Sequence, residues 1–365
     1  MARACGFVPG RIELIGKHVD YLGGRSLTCA TPWGIHIEAV REGTTRGFTG
    51  FDDVYTRAVM RRLTRDFGPL SRGVRLQVSS TLPMAAGLSS SSAWTVGLLA
   101  ALAWANDLRS TPHWHAAGLD EPVAFASYAA AIEGGNAWGS FPGDDGVGTQ
   151  GGAQDHLAIV CGEAGHVQQT SYLPARLEAH AAWPLQWSLL VMHSGVVAEK
   201  TGAALAAFNR VAAEGRAGAE ARRRQFTEEC EHHVPDALAA IRDANASALA
   251  AAAEASQRGA EKVLGNQIPE TIALVHIARD CGAFAASAFG AGFGGAVWAA
   301  VPSAEAEAVL RRWQDTYVEQ FPARATQVWA GAMTPAAGMH TARISPAQNP
   351  STSRIRAPVS SGMTL

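Results

Sequence analysis

Pro83-Met84-Ala85-Ala86-Gly87-Leu88-Ser89-Ser90-Ser91-Ser92-Ala93 is a run of small and hydroxylated residues lying between two kinds of periodicity. Before it, Val74, Leu76 and Val78 alternate with Arg75, Gln77 and Ser79, the pattern of a half-buried strand. After it, Trp94, Leu98 and Leu102, with Val96 and Leu99 alongside, recur at helical spacing through Trp104, which predicts a helix buried over most of its circumference. The run is therefore a strand-to-helix loop. Small side chains let backbone N–H groups approach an anion, and a helix start adds about half a positive charge and unpaired donors. A serine-capped turn with no ligand fits the same residues.

Outward from this loop, the 365 residues are 47% hydrophobic and 17% charged, enough for a sizeable core and well outside the disordered regime. A chain of this length tends to split into two domains, and two domains imply a cleft. The formal net charge of -2 gives no electrostatic basis for a nucleic-acid partner or an anionic membrane surface. The five cysteines are widely spaced without a C-x-x-C pair, so neither a disulfide framework nor a zinc cluster is indicated and a reducing cytoplasm is expected. Met1 to Gly16 shows no export signal. The apolar stretch Val96 to Ala105 is far shorter than the roughly 20 residues of a membrane span.

The chain opens with short apolar runs interrupted by Gly23-Gly24 and Pro32, which predict strands and turns. Gly134 to Gly152 is a glycine-dense loop leading into a strand or short helix at His156 to Cys161. Leu189-Leu190-Val191 is an expected strand, Ala198 to Arg258 an expected series of helices, and Glu305 to Phe321 a further helix. The expected organisation is α+β: an N-terminal domain over 1–185, a C-terminal domain over 186–342, and a disordered tail over 343–365, where Pro, Ser, Thr and Asn lack periodicity.

Two other clusters carry chemistry. Val8 to Gly24 concentrates Arg11, Lys17, His18 and Asp20 among glycines, a mix of acceptors and directed donors suited to a polyol, though also to a polar surface turn. Gly10 to His18 superficially suggests a nucleotide P-loop. It fails because five residues separate the glycines and His18 replaces the metal-binding hydroxyl. His113-Trp114-His115 and His232-His233 lack a third ligand at suitable spacing and are taken as surface histidines rather than a zinc site.

The serine loop resembles the second motif of the GHMP kinase family, P-x-x-x-G-L-S-S-S-A, departing at Ala85-Ala86 and in the extra Ser92. Val8 to Gly24 resembles the galactokinase signature of that family, P-G-R-x-N-x-x-G-E-H-x-D-Y-x-x-G, with Glu13 in place of Asn and Lys17 in place of a Glu that touches the sugar. Gly148-Thr149-Gln150-Gly151-Gly152-Ala153-Gln154-Asp155-His156 resembles the family's G-x-M-D-Q stretch, and Gly290-Ala291-Gly292-Phe293-Gly294-Gly295-Ala296 its third motif. His193-Ser194-Gly195-Val196 resembles the T-N-S-N-V strand end, and Phe208-Asn209 a Tyr-Asn pair that contacts sugar.

The resemblance implies a two-lobed GHMP kinase fold with the active site in the cleft, and transfer of the γ-phosphate of ATP to a sugar hydroxyl. It implies ATP contacts at Pro83, Ala86, Gly87, Leu88, Ser89, Ser90, Ser91 and Ser92, and Mg2+ held by Ser91 and Glu133. Arg11 and Asp155 would be catalytic, while Lys17, His18, Asp20, Gly152 and Phe208 would bind the sugar. Asp155 as a loop Asx-turn and Glu133 as a solvated helix end remain open. The acceptor would be galactose or a related monosaccharide at its anomeric hydroxyl. Lys17 and Phe208 also admit arabinose, fucose, a uronic acid or a heptose phosphate, Lys17 meeting an anionic group. A non-catalytic regulator that binds sugar and ATP on the same fold is the alternative of a different class.

Overall fold

The computed structural model describes residues 2–43, 47–83, 86–149, 151–197 and 202–344. The chain begins with β1 (Arg3–Ile15), β2 (Arg25–Glu42), β3 (Gly47–Thr49), α1 (Val54–Phe67), β4 (Gly73–Ser80) and α2 (Ser90–Ala105). The short α3 (Pro112–Ala116), then α4 (Pro122–Gly134) and α5 (Gln154–Cys161), precede the strands β5 (His166–Tyr172), β6 (Ala175–Ala182) and β7 (Trp187–His193). A helical block follows as α6 (Gly202–Ala217), α7 (Glu220–Glu228), α8 (Val234–Arg242), α9 (Ala246–Gly259) and α10 (Pro269–Asp280). The chain continues through β8 (Ala285–Ala288), β9 (Ala296–Pro302), α11 (Ala306–Gln320), β10 (Trp329–Met333) and β11 (His340–Ile344).

Alternation along β1 sorts its two faces. Ile12 and Leu14 are fully buried in the core, while Arg11 and Glu13, at the intervening positions, face a cavity. The pairing of β1 with β2 is antiparallel and slips register between Pro9 and Arg11 and again between Glu13 and Ile15. Irregularities of this kind re-aim side chains, and here they bracket the two charged residues. The first sheet runs β11-β1-β2-β4-β3, with β5 pairing with β2 and carrying β6 at its far side. Helix α2 packs on β1, β2 and β4 and is buried nearly all round, as its sequence predicts.

The second sheet runs β10-β7-β9-β8. Its outer face is covered by α10 and α11, where Trp313 and Tyr317 pack with Leu190, Met192 and Leu274. The indole of Trp313 donates to Leu274 O at 2.9 Å and the Tyr317 hydroxyl to Ser194 O at 2.6 Å, so both large side chains are satisfied as well as buried. The two sheets share one continuous core that includes Leu14 and Trp298. Across it Trp298 Nε1 donates to Leu14 O at 3.0 Å.

Several expectations are refined. His156 to Cys161 is helix, as part of α5. Strand β11 pairs with β1 from Arg3↔Ile344 to Phe7↔His340, so the end of the chain returns to the N-terminal sheet, and regular structure continues to Ile344, into the stretch expected as tail. Residues 345–365 lie outside those described, as do Met84, Ala85 and Gln150. The loop after α4 is anchored by α1: Arg62 Nη1 donates to Asn136 O at 2.9 Å, Arg61 Nη2 to Gly146 O at 3.2 Å and Arg65 Nη1 to Gly143 O at 3.1 Å.

Candidate active site

Arg11 is 4% exposed and its guanidinium forks between two distant segments. Its Nε meets Asp155 Oδ1 at 2.6 Å and its Nη1 donates to Gly87 O at 2.7 Å, while its backbone N–H donates to Leu88 O at 3.1 Å. The planar fork of arginine suits such a junction, where a lysine would reach only one partner. Gly87 has φ 75° and Ser89 φ 62°, and α2 starts at Ser90. Left-handed backbone at a serine costs on the order of 1–3 kcal/mol, and strain of this kind concentrates where a ligand is gripped. Ala86 and Leu88 are buried, which fixes the loop from beneath. Pro83, Ser90 and Ser91 are half-buried.

Asp155 sits in the first turn of α5. Ser89 Oγ donates to its Oδ2 at 2.6 Å, with Ser92 Oγ at 3.5 Å, so the carboxylate is oriented by Arg11 on one oxygen and hydroxyls on the other. It is not an Asx-turn residue at a loop tip. Glu133, at the end of α4, is 4% exposed rather than solvated. Its Oε2 accepts from Thr95 Oγ1 at 3.1 Å and His156 Nε2 at 2.9 Å, and Ser92 Oγ lies 3.4 Å from Oε1.

The Ser92 hydroxyl lines the cavity beside Glu133, and Ser91, expected to hold the metal, is half-buried one position earlier at the start of α2. A buried carboxylate with serine and threonine hydroxyls is an oxygen-donor set that fits a hard ion such as Mg2+. Among the described residues no group of three or more His, Cys, Asp or Glu side chains is arranged to hold a metal, so phosphate oxygens would have to complete the set.

The third glycine-rich segment closes this wall. A Cβ on Gly87 would stand 3.6 Å from Gly295 Cα, and one on Gly290 would stand 3.7 Å from Arg11 Nη2. His18, at φ 57°, bridges the same segment: its Nε2 lies 3.0 Å from Ala291 O and its Nδ1 2.9 Å from the Tyr21 hydroxyl. A carbonyl only accepts, so Nε2 carries the proton and Nδ1 accepts from Tyr21. Burial pushes the His18 pKa down to about 4, against the pull of the Ala291 carbonyl, which keeps the ring neutral. Both ring nitrogens are therefore occupied within the protein. Phe208 packs on the His18 ring, with centroids 5.2 Å apart, and both line the cavity.

Asp20 accepts from Tyr21 N at 2.9 Å and Gly152 N at 3.0 Å. Burial, then the charge of Asp155, raises its pKa, while the backbone donors lower it. Gly152 must be glycine, because a Cβ there would lie 2.7 Å from Asp20 Oδ2.

Lys17 is a correction. Its side chain is 1% exposed and leaves the cavity for the core, where Nζ donates to Ser256 Oγ at 2.8 Å and Ser287 Oγ at 2.9 Å. Glu229 draws the segment that way, since its Oε1 accepts from Gly16 N at 2.8 Å, Lys17 N at 3.2 Å and Ser256 Oγ at 2.6 Å. Burial lowers the Lys17 pKa while the Glu229, Glu13 and Glu261 charges raise it. Lys17 thus joins the helical block to the first segment, with its ammonium held by Ser256 and Ser287 away from the cavity.

One cavity is lined by Arg11, His18, Asp20, Ser89, Ser92, Glu133, Gly152, Asp155 and Phe208, together with Gly290 to Phe293. Sequence reasoning gave no role to others on the same wall: Glu13, Tyr21, Gln154 and His156. Gln154 and His156 flank Asp155, and Glu13 shares a strand face with Arg11, so adjacency alone would have found them.

Three family descriptions match the chain in order. The galactokinase galactose-binding signature matches residues 2–41, the GHMP kinases N terminal domain 54–139 and the GHMP kinases C terminal domain 237–319. Together they span more than half of the chain. A galactokinase of Glaesserella parasuis is 26% identical over 113 residues, covering 25% of this chain and 29% of that relative's length. The crystal structure of Lactococcus lactis galactokinase complexed with galactose superposes with a TM-score of 0.77 at 19% identity, over 93% of this chain and 95% of that one. That of L. major mevalonate kinase in complex with R-mevalonate gives 0.63 at 17% identity, over 91% of this chain and 96% of that one. At these identities the structural likeness concerns the fold. The ordered matches, and the convergence of their segments on one cavity, establish that this chain belongs to the GHMP kinase family, a phosphotransferase family, and is galactokinase-like within it.

Proposed function

We propose that this protein transfers the γ-phosphoryl group of ATP to a hydroxyl of a neutral monosaccharide, galactose or a close relative. The observation that carries the proposal is Asp155, held by Arg11 and Ser89 where the serine loop meets the Asp20–Gly152 segment. Asp155 would orient the acceptor hydroxyl and take its proton as it attacks. A carboxylate paired with arginine is a weak base, but the transition state for phosphoryl transfer is loose, so positioning matters more than early deprotonation. Arg11 would offset charge on the transferring oxygens, and the N-terminus of α2 would bind the phosphates. Mg2+, held by Glu133 and the Ser92 hydroxyl together with phosphate oxygens, would neutralise phosphate charge.

Among the described residues Arg11 is the only Lys or Arg lining the cavity, and it is already paired. With Lys17 in the core, no second Lys or Arg among the described residues lines the cavity to meet an anionic sugar. This favours a neutral acceptor over a uronic acid or a heptose phosphate.

ADP release with Mg-ATP, followed across neutral and acidic monosaccharides with Asp155→Ala as control, tests the proposal. Turnover on a neutral sugar that depends on Asp155 supports it. Sugar and ATP binding without turnover would make the protein a regulator on the same fold.

A further inference from the structure

Glu13 lies on the cavity face of β1, two residues from Arg11, and is 2% exposed. Its Oε2 accepts from Gln154 Nε2 at 2.6 Å, and Gln154 is the residue before Asp155. Its Oε1 is buried and has no hydrogen-bond partner among the described residues. An unsatisfied carboxylate oxygen in a low-dielectric wall is costly, on the order of 1–3 kcal/mol or more. A donor from a ligand removes that cost. The other carboxylates lining the cavity each have donors on both oxygens: Asp20 from backbone N–H groups, Asp155 from Arg11 and Ser89, and Glu133 from Thr95, His156 and Ser92.

We propose that Glu13 is a specificity-determining residue of this site, its second carboxylate oxygen accepting a hydrogen bond from one hydroxyl of the bound monosaccharide. The inference rests on the sugar-kinase reading and adds a particular demand: the acceptor must present a donor at the position facing Glu13. A site that hydrogen-bonds a substrate hydroxyl rejects the analogue lacking it far more strongly than an apolar pocket rejects a change of size, because its own polar group is then left unpaired. Gln154 makes Glu13 more than a lone acceptor. It ties the Glu13 carboxylate to α5, so a sugar hydroxyl seated on Glu13 is fixed relative to Asp155 in the next position.

The charge state of Glu13 supplies an independent readout. Burial pushes its pKa up to about 7, against the charges of Lys17 and Arg11 and the Gln154 hydrogen bond, with Glu229 adding to the rise. His18, Asp20, Asp155 and His156 share the cavity wall with it. In the carboxylate Oε1 can only accept, the form that suits a sugar hydroxyl donor, so sugar affinity tightens as pH rises through about 7.

The experiment measures both sugar binding by calorimetry and turnover by ADP release, for the wild type and Glu13→Gln, with the preferred neutral sugar and its monodeoxy analogues across pH 6–8 (a range chosen about Glu13's pKa of about 7). The expected result has three parts. Wild type loses roughly tenfold or more in affinity for one monodeoxy analogue, in line with the ~1–3 kcal/mol of an unpaired buried group. Glu13→Gln loses that discrimination, with the loss falling mainly on KM. Its pH profile for binding is flat where that of the wild type is not.

Unchanged discrimination and an unchanged pH profile in Glu13→Gln would overturn the proposal. The wild-type analogue series judges it even if the variant folds poorly, since equal affinity for every monodeoxy sugar also overturns it. Sugar binding that shows the Glu13 pattern without turnover would refute the kinase reading and retain the role of Glu13. Failure to bind any monosaccharide would remove both.

Discussion

The Arg11 guanidinium meets the Asp155 carboxylate at 2.6 Å across 144 positions of sequence, and the same guanidinium holds Gly87 of the serine loop. One side chain thus sets the distance between the segment assigned to phosphate and the residue assigned to the acceptor hydroxyl.

Asp155→Asn keeps the shape and removes the charge. We expect kcat to fall by about 10²–10⁴, the usual contribution of a positioned acid–base group, with the KM for ATP changing only a few-fold. Steady-state kinetics at saturating sugar checks this, and near-normal kcat would remove Asp155 from the chemistry.

Lys17→Glu places a carboxylate against Glu229 and Glu13 in the core. Breaking a buried charge arrangement in this way costs about 3–5 kcal/mol, so the melting temperature should drop sharply. Below that temperature, the rank order of sugars should be unchanged. A shift in sugar preference without loss of stability would place Lys17 in the site after all.

His18 contributes to acid sensitivity. Its folded pKa of about 4 lies below the ordinary 6.5, so the unfolded chain binds the extra proton between those values. The stability due to neutral His18 is complete above about pH 6.5 and is lost as pH falls toward 4, amounting to about 3 kcal/mol. Glu13, with its raised pKa, acts in the opposite sense between pH 4.5 and about 7. The test is therefore a difference. Asn tolerates the left-handed backbone at position 18, and the stability gap between wild type and His18→Asn, measured by urea unfolding, should narrow from pH 7 to 4.5. A constant gap would contradict the assignment.

Arg62 is fully buried, pairs with Asp66 at 2.5 Å and donates to Asn136 O. Arg62→Ala leaves Asp66 buried, with Arg65 and Tyr128 as its remaining partners. We expect a loss of about 3–5 kcal/mol and faster amide exchange across 134–148, read by hydrogen-exchange mass spectrometry. Unchanged exchange there would show that α1 does not anchor the loop.

The parts of the site that were legible in the sequence are those encoded locally. The serine loop, the Asp155 segment and the glycine turn each carry their chemistry within about ten residues, and the periodicity of α2 follows from its burial. The side-chain direction of Lys17 was not legible, because Glu229, Ser256 and Ser287 come from the helical block and β8, more than 200 positions away. Ser92, which reaches Glu133, was passed over for its neighbour Ser91, about 100° away around α2, because the hydroxyl run looks alike at each position. The return of β11 to β1 was illegible because a five-residue strand beside a polar tail has too little pattern to register.

The most direct measurement is the fate of the γ-phosphoryl group itself, followed by mass spectrometry with ATP labelled in the γ-phosphate oxygens and a neutral monosaccharide. The account predicts labelled sugar monophosphate formed one-to-one with ADP, and with Asp155→Asn both products formed about 10²–10⁴ times more slowly. Label appearing only in inorganic phosphate, or an Asp155→Asn variant that still forms sugar phosphate at the wild-type rate, would contradict it.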